Sequence, residues 1–492
     1  MTAGPQQSLP AARRLLCYYG DDFTGSTDVL EALFRSGLRT ILFLEPPTAG
    51  QLEEQFRDAD CFGVAGVGRS LTPAEMEREL RPLFQTLKSA GAMVVHYKIC
   101  STFDSSPDVG NIGKAAEIGR DVFGDAEGGD GTGTDVSTSA GTGAGFIPLL
   151  VGVPYLKRYT VFGHHYAGAG GTVYRLDRHP TMSRHPVTPM DESDLLLHLS
   201  RQTSLRTSLF DITLLSGKPA ELRSRLDRLR AAENPALILF DVLDEERLEA
   251  AGRLIWEEAK AADGLFVIGS SGVEYALASA WRADGLIERA PREDTGREVS
   301  AVDRLLVVSG SCSPVTQRQI AQAQQQGFAA IRIPAEAWIL PEQAGSVKEA
   351  LRREALSYLM AGQSVILYSA LGPQDDSIAR LREALAAQGL RAEDSSRVLG
   401  SAIGALAKEL IAAAGLTRLL IAGGDTSGYV TRELGIYAME CRAELEPGGP
   451  LCRAYSSDSG IDGLELVLKG GQVGGESFFE HVRLGKVVGE GT

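Results

Sequence analysis

No two cysteines in this chain are spaced Cys-x-x-Cys. The six present, Cys17, Cys61, Cys100, Cys312, Cys441 and Cys452, are scattered, which argues against a zinc site or a disulfide framework and suits a reduced, cytoplasmic protein. No run approaches the roughly 18 apolar residues of a membrane span, and the opening MTAGPQQSLPAARR lacks the apolar core of a secretory signal. Basic residues are in the minority: 49 Lys and Arg against 64 Asp and Glu leave a net charge of -15, which argues against a protein that holds a nucleic-acid backbone. A small anion is not excluded, because a few local Arg and Lys can build a positive pocket on an acidic protein. No strand-like segment runs into Gly-x-Gly-x-x-Gly with an acid about 20 residues on, which disfavours a dinucleotide dehydrogenase. The GxxxxGK[ST] spacing of a P-loop is missing as well.

What is present reads as an α/β protein. With 492 residues, 43% hydrophobic and 23% charged, the chain has room for two or three domains with ordinary cores. Residues 15–29, LLCYYGDDFTGSTDV, organise the rest. The apolar run 15–19 has the composition of a buried strand, it stops at Gly20-Asp21-Asp22, and a helical pattern follows. Ligands of open α/β sheets bind beyond the carboxyl ends of strands, where Asp21 and Asp22 fall. Either acid could instead turn the chain and cap the helix, with Thr24 and Ser26 as competing caps.

Further strands are expected at 40–44, 61–67, 93–97, 146–153, 236–240 and 265–268. The third ends at Arg69-Ser70, and Thr72, Pro73 and Glu75 read as a capped helix start. The fourth leads into Lys98-Ile99-Cys100-Ser101-Thr102-Phe103-Asp104-Ser105-Ser106, one charge and several short donors suited to an oxygen-rich substrate. Residues 124–145 have almost nothing to bury and read as a disordered surface loop. Between 158 and 189, Arg158, Arg175, Arg178 and Arg184 give a local positive balance that would either line an anion pocket or pair with nearby acids. The adjacent His164 and His165 cannot both face one metal from a helix.

Residues 288–302 are charged, hold Pro and Gly and have no periodicity, as a linker does. A second α/β pattern follows, with strands at 305–308, 329–333, 364–368, 419–422 and 464–468. Three of these strands feed glycine- and serine-rich loops: Ser309-Gly310-Ser311-Cys312-Ser313, Gly423-Gly424-Asp425-Thr426-Ser427-Gly428 and Lys469-Gly470-Gly471-Gln472-Val473-Gly474-Gly475. Together they can set many backbone N–H groups around phosphates.

The ordered set of Gly20-Asp21-Asp22-Phe23-Thr24-Gly25, Arg69-Ser70-Leu71, the Lys98 to Ser105 segment, Gly269-Ser270-Ser271-Gly272 and the three later loops resembles the four-carbon acid sugar kinases over nearly the whole chain. The resemblance implies a sugar-acid-binding domain at 14–287, the linker at 288–302 and an ATP-binding domain at 303–492, with the active site in a cleft between two α/β domains. It also implies transfer of the γ-phosphoryl of ATP, with Mg²⁺, to a terminal hydroxyl of a short sugar acid. On that resemblance Asp22 or Asp21 orients the hydroxyl and takes its proton. Arg69, Ser70, Lys98, Ser101 and Thr102 grip the substrate, and Ser309, Gly310, Ser311, Gly423, Gly424, Asp425, Thr426, Gly470 and Gly474 surround ATP. Asp425 could hold Mg²⁺ instead, although the family often has Glu there; a homodimer is possible. Where threonate and erythronate kinases carry Lys-x-Asp-Ser-Thr-Leu-Arg-Gly, this chain has Lys98 to Ser105. That segment is similar to the kinases of 3-oxo acids, with Ser106-Pro107 and the long 174–189 segment pointing to 3-oxo-isoapionate over 3-oxo-tetronate.

Overall fold

The computed structural model describes residues 13–124, 145–185, 187–288, 299–391 and 394–487, with the side chain of Asp425 also left aside. Residues 125–144 of the expected surface loop and 289–298 of the expected linker lie outside the described residues. The chain divides at Ala290/Pro291 into two compact units, and Ile41–Glu45 counts with the second.

The chain opens with β1 (Leu16–Gly20), α1 (Phe23–Arg35), β2 (Thr40–Phe43), β3 (Cys61–Ala65), α2 (Pro73–Ser89), β4 (Val94–Lys98), α3 (Ile112–Phe123) and β5 (Ile147–Leu150), all in the first unit except β2, whose Ile41 to Phe43 count with the second. A small antiparallel sheet follows, β6 (Arg158–Val161), β7 (His164–Ala169) and β8 (Thr172–Arg175). The unit closes with α4 (Leu195–Ser200), β9 (Thr207–Phe210), α5 (Pro219–Glu233), β10 (Leu237–Phe240), α6 (Glu245–Ala261), β11 (Leu265–Gly269) and α7 (Gly272–Ala283). Its main sheet is all parallel, in the order β3-β1-β4-β11-β5-β10-β9. Strands of such a sheet are covered on both faces, which explains why LCYYG, CFGVA and LFVIG are apolar without alternation and buried throughout. From β1 the chain steps to β3 on one side and to β4 on the other, so the strand order reverses between β1 and β4. A crevice opens beyond the carboxyl ends at such a switch point.

The second unit contains β12 (Leu306–Ser309), α8 (Pro314–Gln325), β13 (Ala329–Arg332), α9 (Ala335–Trp338), α10 (Pro341–Met360), β14 (Val365–Tyr368), α11 (Ser377–Ala387) and α12 (Ser395–Ala414). It ends with β15 (Arg418–Ala422), α13 (Gly424–Glu433), β16 (Ile436–Glu446), β17 (Gly449–Ser456), β18 (Glu465–Lys469) and α14 (Phe478–Leu484). Its sheet runs β13-β14-β12-β15-β18 in parallel, then turns antiparallel through β17 and β16. The far edge of β16 is covered by the early segment, with Ala438 opposite Phe43, Met439 opposite Leu42 and Glu440 opposite Ile41. Leu305, Val307, Ile320, Ile366, Leu420, Val467 and Phe478 form its core.

The expected strands are all present, that at 146–153 shortened to β5. The sheet of β6 to β8, the long hairpin of β16 and β17, and the edge strand β9 were not anticipated. The first is polar and glycine-rich and half-exposed on most of its residues, so it carries little hydrophobic pattern. No helix among the described residues is long and apolar enough to cross a membrane.

Candidate functional site

Asp21 and Asp22 leave the carboxyl end of β1 at the switch point. Asp22 is the N-cap of α1: its Oδ1 accepts from the Gly25 amide at 2.7 Å, so of the competing caps Asp22 takes the position. A Cβ on Gly25 would stand 2.5 Å from that same oxygen and 3.1 Å from Lys98 Nζ. The glycine of the Asp-Asp-Phe-Thr-Gly run therefore keeps room for both groups.

Arg69 follows β3 in a short turn that Tyr19 braces, its hydroxyl accepting from the Val67 amide at 3.1 Å. Gly66 lets that tyrosine lie flat, since a Cβ there would come within 1.9 Å of its ring. The Arg69 guanidinium donates from Nη2 to Asp21 Oδ1 at 2.7 Å, from Nε to Asp21 Oδ2 at 3.3 Å and from Nη1 to Asp22 Oδ2 at 2.9 Å. Three of its five N–H groups are thus engaged with the acid pair. Burial pushes the Asp21 carboxyl up to about 6, with Arg69 opposing the rise and Asp22 adding to it. The Asp21 side chain is 3% exposed and that of Asp22 28%.

Lys98, at the end of β4, is buried and reaches Asp28 Oδ2 of α1 at 3.4 Å. Burial pulls its ammonium down, but Asp28, Asp22 and Asp21 together outweigh that and raise it. Nothing in the sequence pattern marks Asp28; it emerges only because α1 turns that residue toward the strand end. Beyond Lys98, Thr102 Oγ1 donates to Asp104 Oδ1 at 2.7 Å, and Asp104 Oδ2 lies 3.9 Å from Arg69 Nη1. Ser101 presents its carbonyl to His165 Nε2 at 2.8 Å. Ser70 is exposed and turns its hydroxyl back to the Val67 carbonyl at 2.8 Å. Asp21, Asp22, Arg69, Lys98 and Thr102 are therefore gathered, while the Ser70 side chain faces away.

Phe103 adopts φ 58°, a left-handed conformation that costs a bulky residue about 1–3 kcal/mol. Ser105 holds it there: its hydroxyl donates to the Phe103 carbonyl at 2.9 Å and accepts from Gln202 Nε2 at 2.8 Å. With its proton so used, Ser105 receives the hydrogen of His198 Nε2 at 3.1 Å. The pair is a lock on the loop and not a nucleophile with its base. His164 and His165 diverge as neighbours on a strand do: His164 Nδ1 meets Ser193 Oγ at 3.0 Å, and His165 Nδ1 meets Thr160 Oγ1 at 3.0 Å. Burial lowers His165 to about 4, so it is neutral. Among the described residues no group of three or more His, Cys, Asp or Glu is arranged to hold a metal.

In the second unit β12, β15 and β18 lie side by side, so the three glycine loops leave adjacent strands. They are stitched together: Gly310 N donates to Ala422 O at 3.1 Å and Gly423 N to Lys469 O at 2.9 Å. Lys469 Nζ donates to Thr316 Oγ1 at 3.0 Å, which lies 3.1 Å from Ser311 Oγ and 3.0 Å from Gly471 O. Ser309 Oγ accepts from Ser311 N at 3.4 Å, and a Cβ on Gly310 would stand 2.1 Å from Thr426 Oγ1. Gly423, at φ 124°, precedes α13, which no side chain caps, and Gly424 and Asp425 begin that helix. An uncapped helix start offers amides to an anion, so these residues fit a nucleotide's phosphates. Gly470 starts the turn in which Val473 N returns to Gly470 O at 3.2 Å, and Gly474 sits at φ 86° against Phe478. Burial lowers the Lys469 ammonium to about 8, Glu446 opposing.

Two family models match. Residues 16–277 match a sugar-binding N-terminal domain and residues 306–479 a nucleotide-binding C-terminal domain. The chain is 43% identical to the 3-oxo-isoapionate kinase of Paraburkholderia graminis over 99% of its own length and 98% of the relative's. It is 28% identical to the 3-oxo-tetronate kinase of Pseudomonas savastanoi pv. phaseolicola, over 96% and 97%. A Salmonella typhimurium LT2 crystal structure, described as that of a proposed tRNA synthase, superposes with a TM-score of 0.73 at 25% identity, over 95% and 98%.

Proposed function

The chain belongs to the four-carbon acid sugar kinase family and is a phosphotransferase with an alcohol acceptor, and on that premise we propose that it phosphorylates the terminal hydroxyl of a 3-oxo sugar acid, 3-oxo-isoapionate before 3-oxo-tetronate. The observation that carries the reading is the Asp21–Asp22 pair held by Arg69 beside Lys98 at the switch point of a sugar-binding unit. The high identity to a 3-oxo-isoapionate kinase supports the choice of acid.

Phosphoryl transfer asks mainly for position and charge. Asp22, the more open of the two acids, accepts the hydroxyl proton as the oxygen attacks the γ-phosphorus. Arg69 and Asp21 hold Asp22 in place, and Lys98 and Thr102 hold substrate oxygens. The 309–313, 423–428 and 469–475 loops, with Ser309, Gly310, Ser311, Gly423, Gly424, Asp425, Thr426, Gly470 and Gly474, bind ATP in the domain that begins near residue 303. Mg²⁺ would neutralise phosphate charge and would need only one or two protein oxygens; the resemblance offers Asp425 for one of them, a side chain outside the described residues.

The test is ADP release with Mg²⁺ and ATP on 3-oxo-isoapionate, 3-oxo-tetronate, D-threonate and D-erythronate. Turnover of 3-oxo-isoapionate well above the others is the expected result. Preference for D-threonate or D-erythronate would overturn the choice of acid. Silence on all four with ATP still bound would favour a sensor without chemistry.

A further inference from the structure

The acceptor site has too few free cations for an acid substrate. Asp21, Asp22, Asp28 and Asp104 set four carboxylates against two cations, Arg69 and Lys98, and each cation is already turned to an acid. A substrate carboxylate arriving there meets a formal excess of negative charge, and close like charges repel strongly where water is scarce. Some other cation has to receive it.

Arg158, the first residue of β6, stands beside this cluster. β6 pairs with β7, Arg158 opposite Ala167 and Thr160 opposite His165, and His165 Nε2 meets the Ser101 carbonyl at 2.8 Å, which sets this small sheet against the loop after β4. Its Nη1 donates to the carbonyls of Leu156 at 2.9 Å, Lys157 at 3.3 Å and Gly168 at 3.2 Å. Three carbonyls on one nitrogen fix the plane of the guanidinium. Its Nε is buried without an acceptor, and among the described residues no carboxylate pairs with it and nothing accepts from Nη2. A half-buried guanidinium with a buried Nε and no carboxylate partner carries a desolvation cost that no ion pair offsets. Holding three carbonyls does not require a charge; a fork of free donors in a fixed plane suits a carboxylate.

Resting on the kinase reading above, we infer that Arg158 receives the substrate's carboxylate through its free Nε and Nη2 side, and so selects acids as acceptors. Lys98 and Thr102 are then left for hydroxyl and oxo oxygens, and the acid pair for the attacking hydroxyl.

The test is steady-state kinetics of wild type, R158Q and R158K with the 3-oxo acid the enzyme turns over best, with thermal melting as a folding control. Truncating one side of a buried charged hydrogen bond predicts an acid KM raised about 100-fold in R158Q, with the ATP KM within about twofold of wild type. R158K, which keeps the charge and loses the fork, falls between the two. An unchanged acid KM in R158Q overturns the inference. So do R158K and R158Q impaired equally, or acid and ATP KM raised alike, which is what loss of a mere strut predicts. Should R158Q fail to fold, R158K decides: a raised acid KM with unaltered ATP KM supports the assignment, and an unaltered acid KM overturns it. If wild type turns over no sugar acid, the kinase reading fails first.

Discussion

Arg69 closes on Asp21 as a fork, with Nη2 and Nε at 2.7 and 3.3 Å from its two oxygens, and spends its remaining nitrogen on Asp22. Asp21 is almost fully enclosed, so removing the arginine leaves a buried charge with no answer. R69Q should lower unfolding stability by about 3 kcal/mol, read by urea denaturation, and R69Q combined with D21N should recover most of that loss. Additive losses in the double variant would mean that the two side chains are not coupled.

The raised Asp21 carboxyl sets a pH limb. Its folded value of about 6 lies above the ordinary carboxylate value, so folding favours the protonated form. The stability from this group is full below about pH 4 and is lost as pH rises through about 6. Turnover runs the other way, because an ionised pair is needed to hold Arg69 and orient the hydroxyl. We expect kcat/KM to fall about tenfold per unit below pH 6 and the limb to move upward in R69Q, since Arg69 opposes the rise. A limb near pH 4 in the wild type would refute the assignment.

Asp22→Asn should cut phosphoryl transfer by at least about 100-fold while ATP affinity, measured by calorimetry, stays within about twofold. Gly25→Ala should do much the same by a different route, because its Cβ would press on Asp22 Oδ1 and displace the carboxylate. Normal turnover in either variant would sink the role given to Asp22.

Lys469 is buried, its ammonium lowered to about 8. Because the folded value is depressed, this group costs the protein stability as pH falls through about 8, where burying the charge is penalised. K469M should therefore raise the melting temperature of the nucleotide-free protein at pH 7. Phosphate charge favours the protonated amine, so ATP binding near pH 8.5 should take up protons, seen as a heat that depends on the buffer's ionisation enthalpy. Buffer-independent heats there would show that Lys469 does not sense the nucleotide.

Most strands and the helix starts at Asp22 and Thr72 were legible in the sequence, because continuous apolar runs and capping residues are local signals. The gathering of Asp21, Asp22, Arg69, Lys98 and Thr102 followed from strand ends converging at one sheet edge. What stayed illegible was pairing. No spacing says that Arg69 pairs with two aspartates at once, that Asp28 answers Lys98 across a helix, or that Ser70 turns back on Val67. Arg158 was visible only as one arginine among four in a polar segment. Its separation from the others depends on β6 and β7, whose short, half-exposed strands carry little hydrophobic pattern.

The strand that covers the edge of β16 comes from residues 41–45, far upstream of everything else in the second unit. A fragment of residues 303–492 would be born with a bare row of amides and carbonyls along β16, the kind of edge that recruits other chains. The nucleotide half of this protein therefore takes part of one sheet edge from the other end of the chain. On the ribosome its last edge strand is made first and has to wait for its partner, and a gene that exchanged the C-terminal half alone would have to carry this short N-terminal stretch with it.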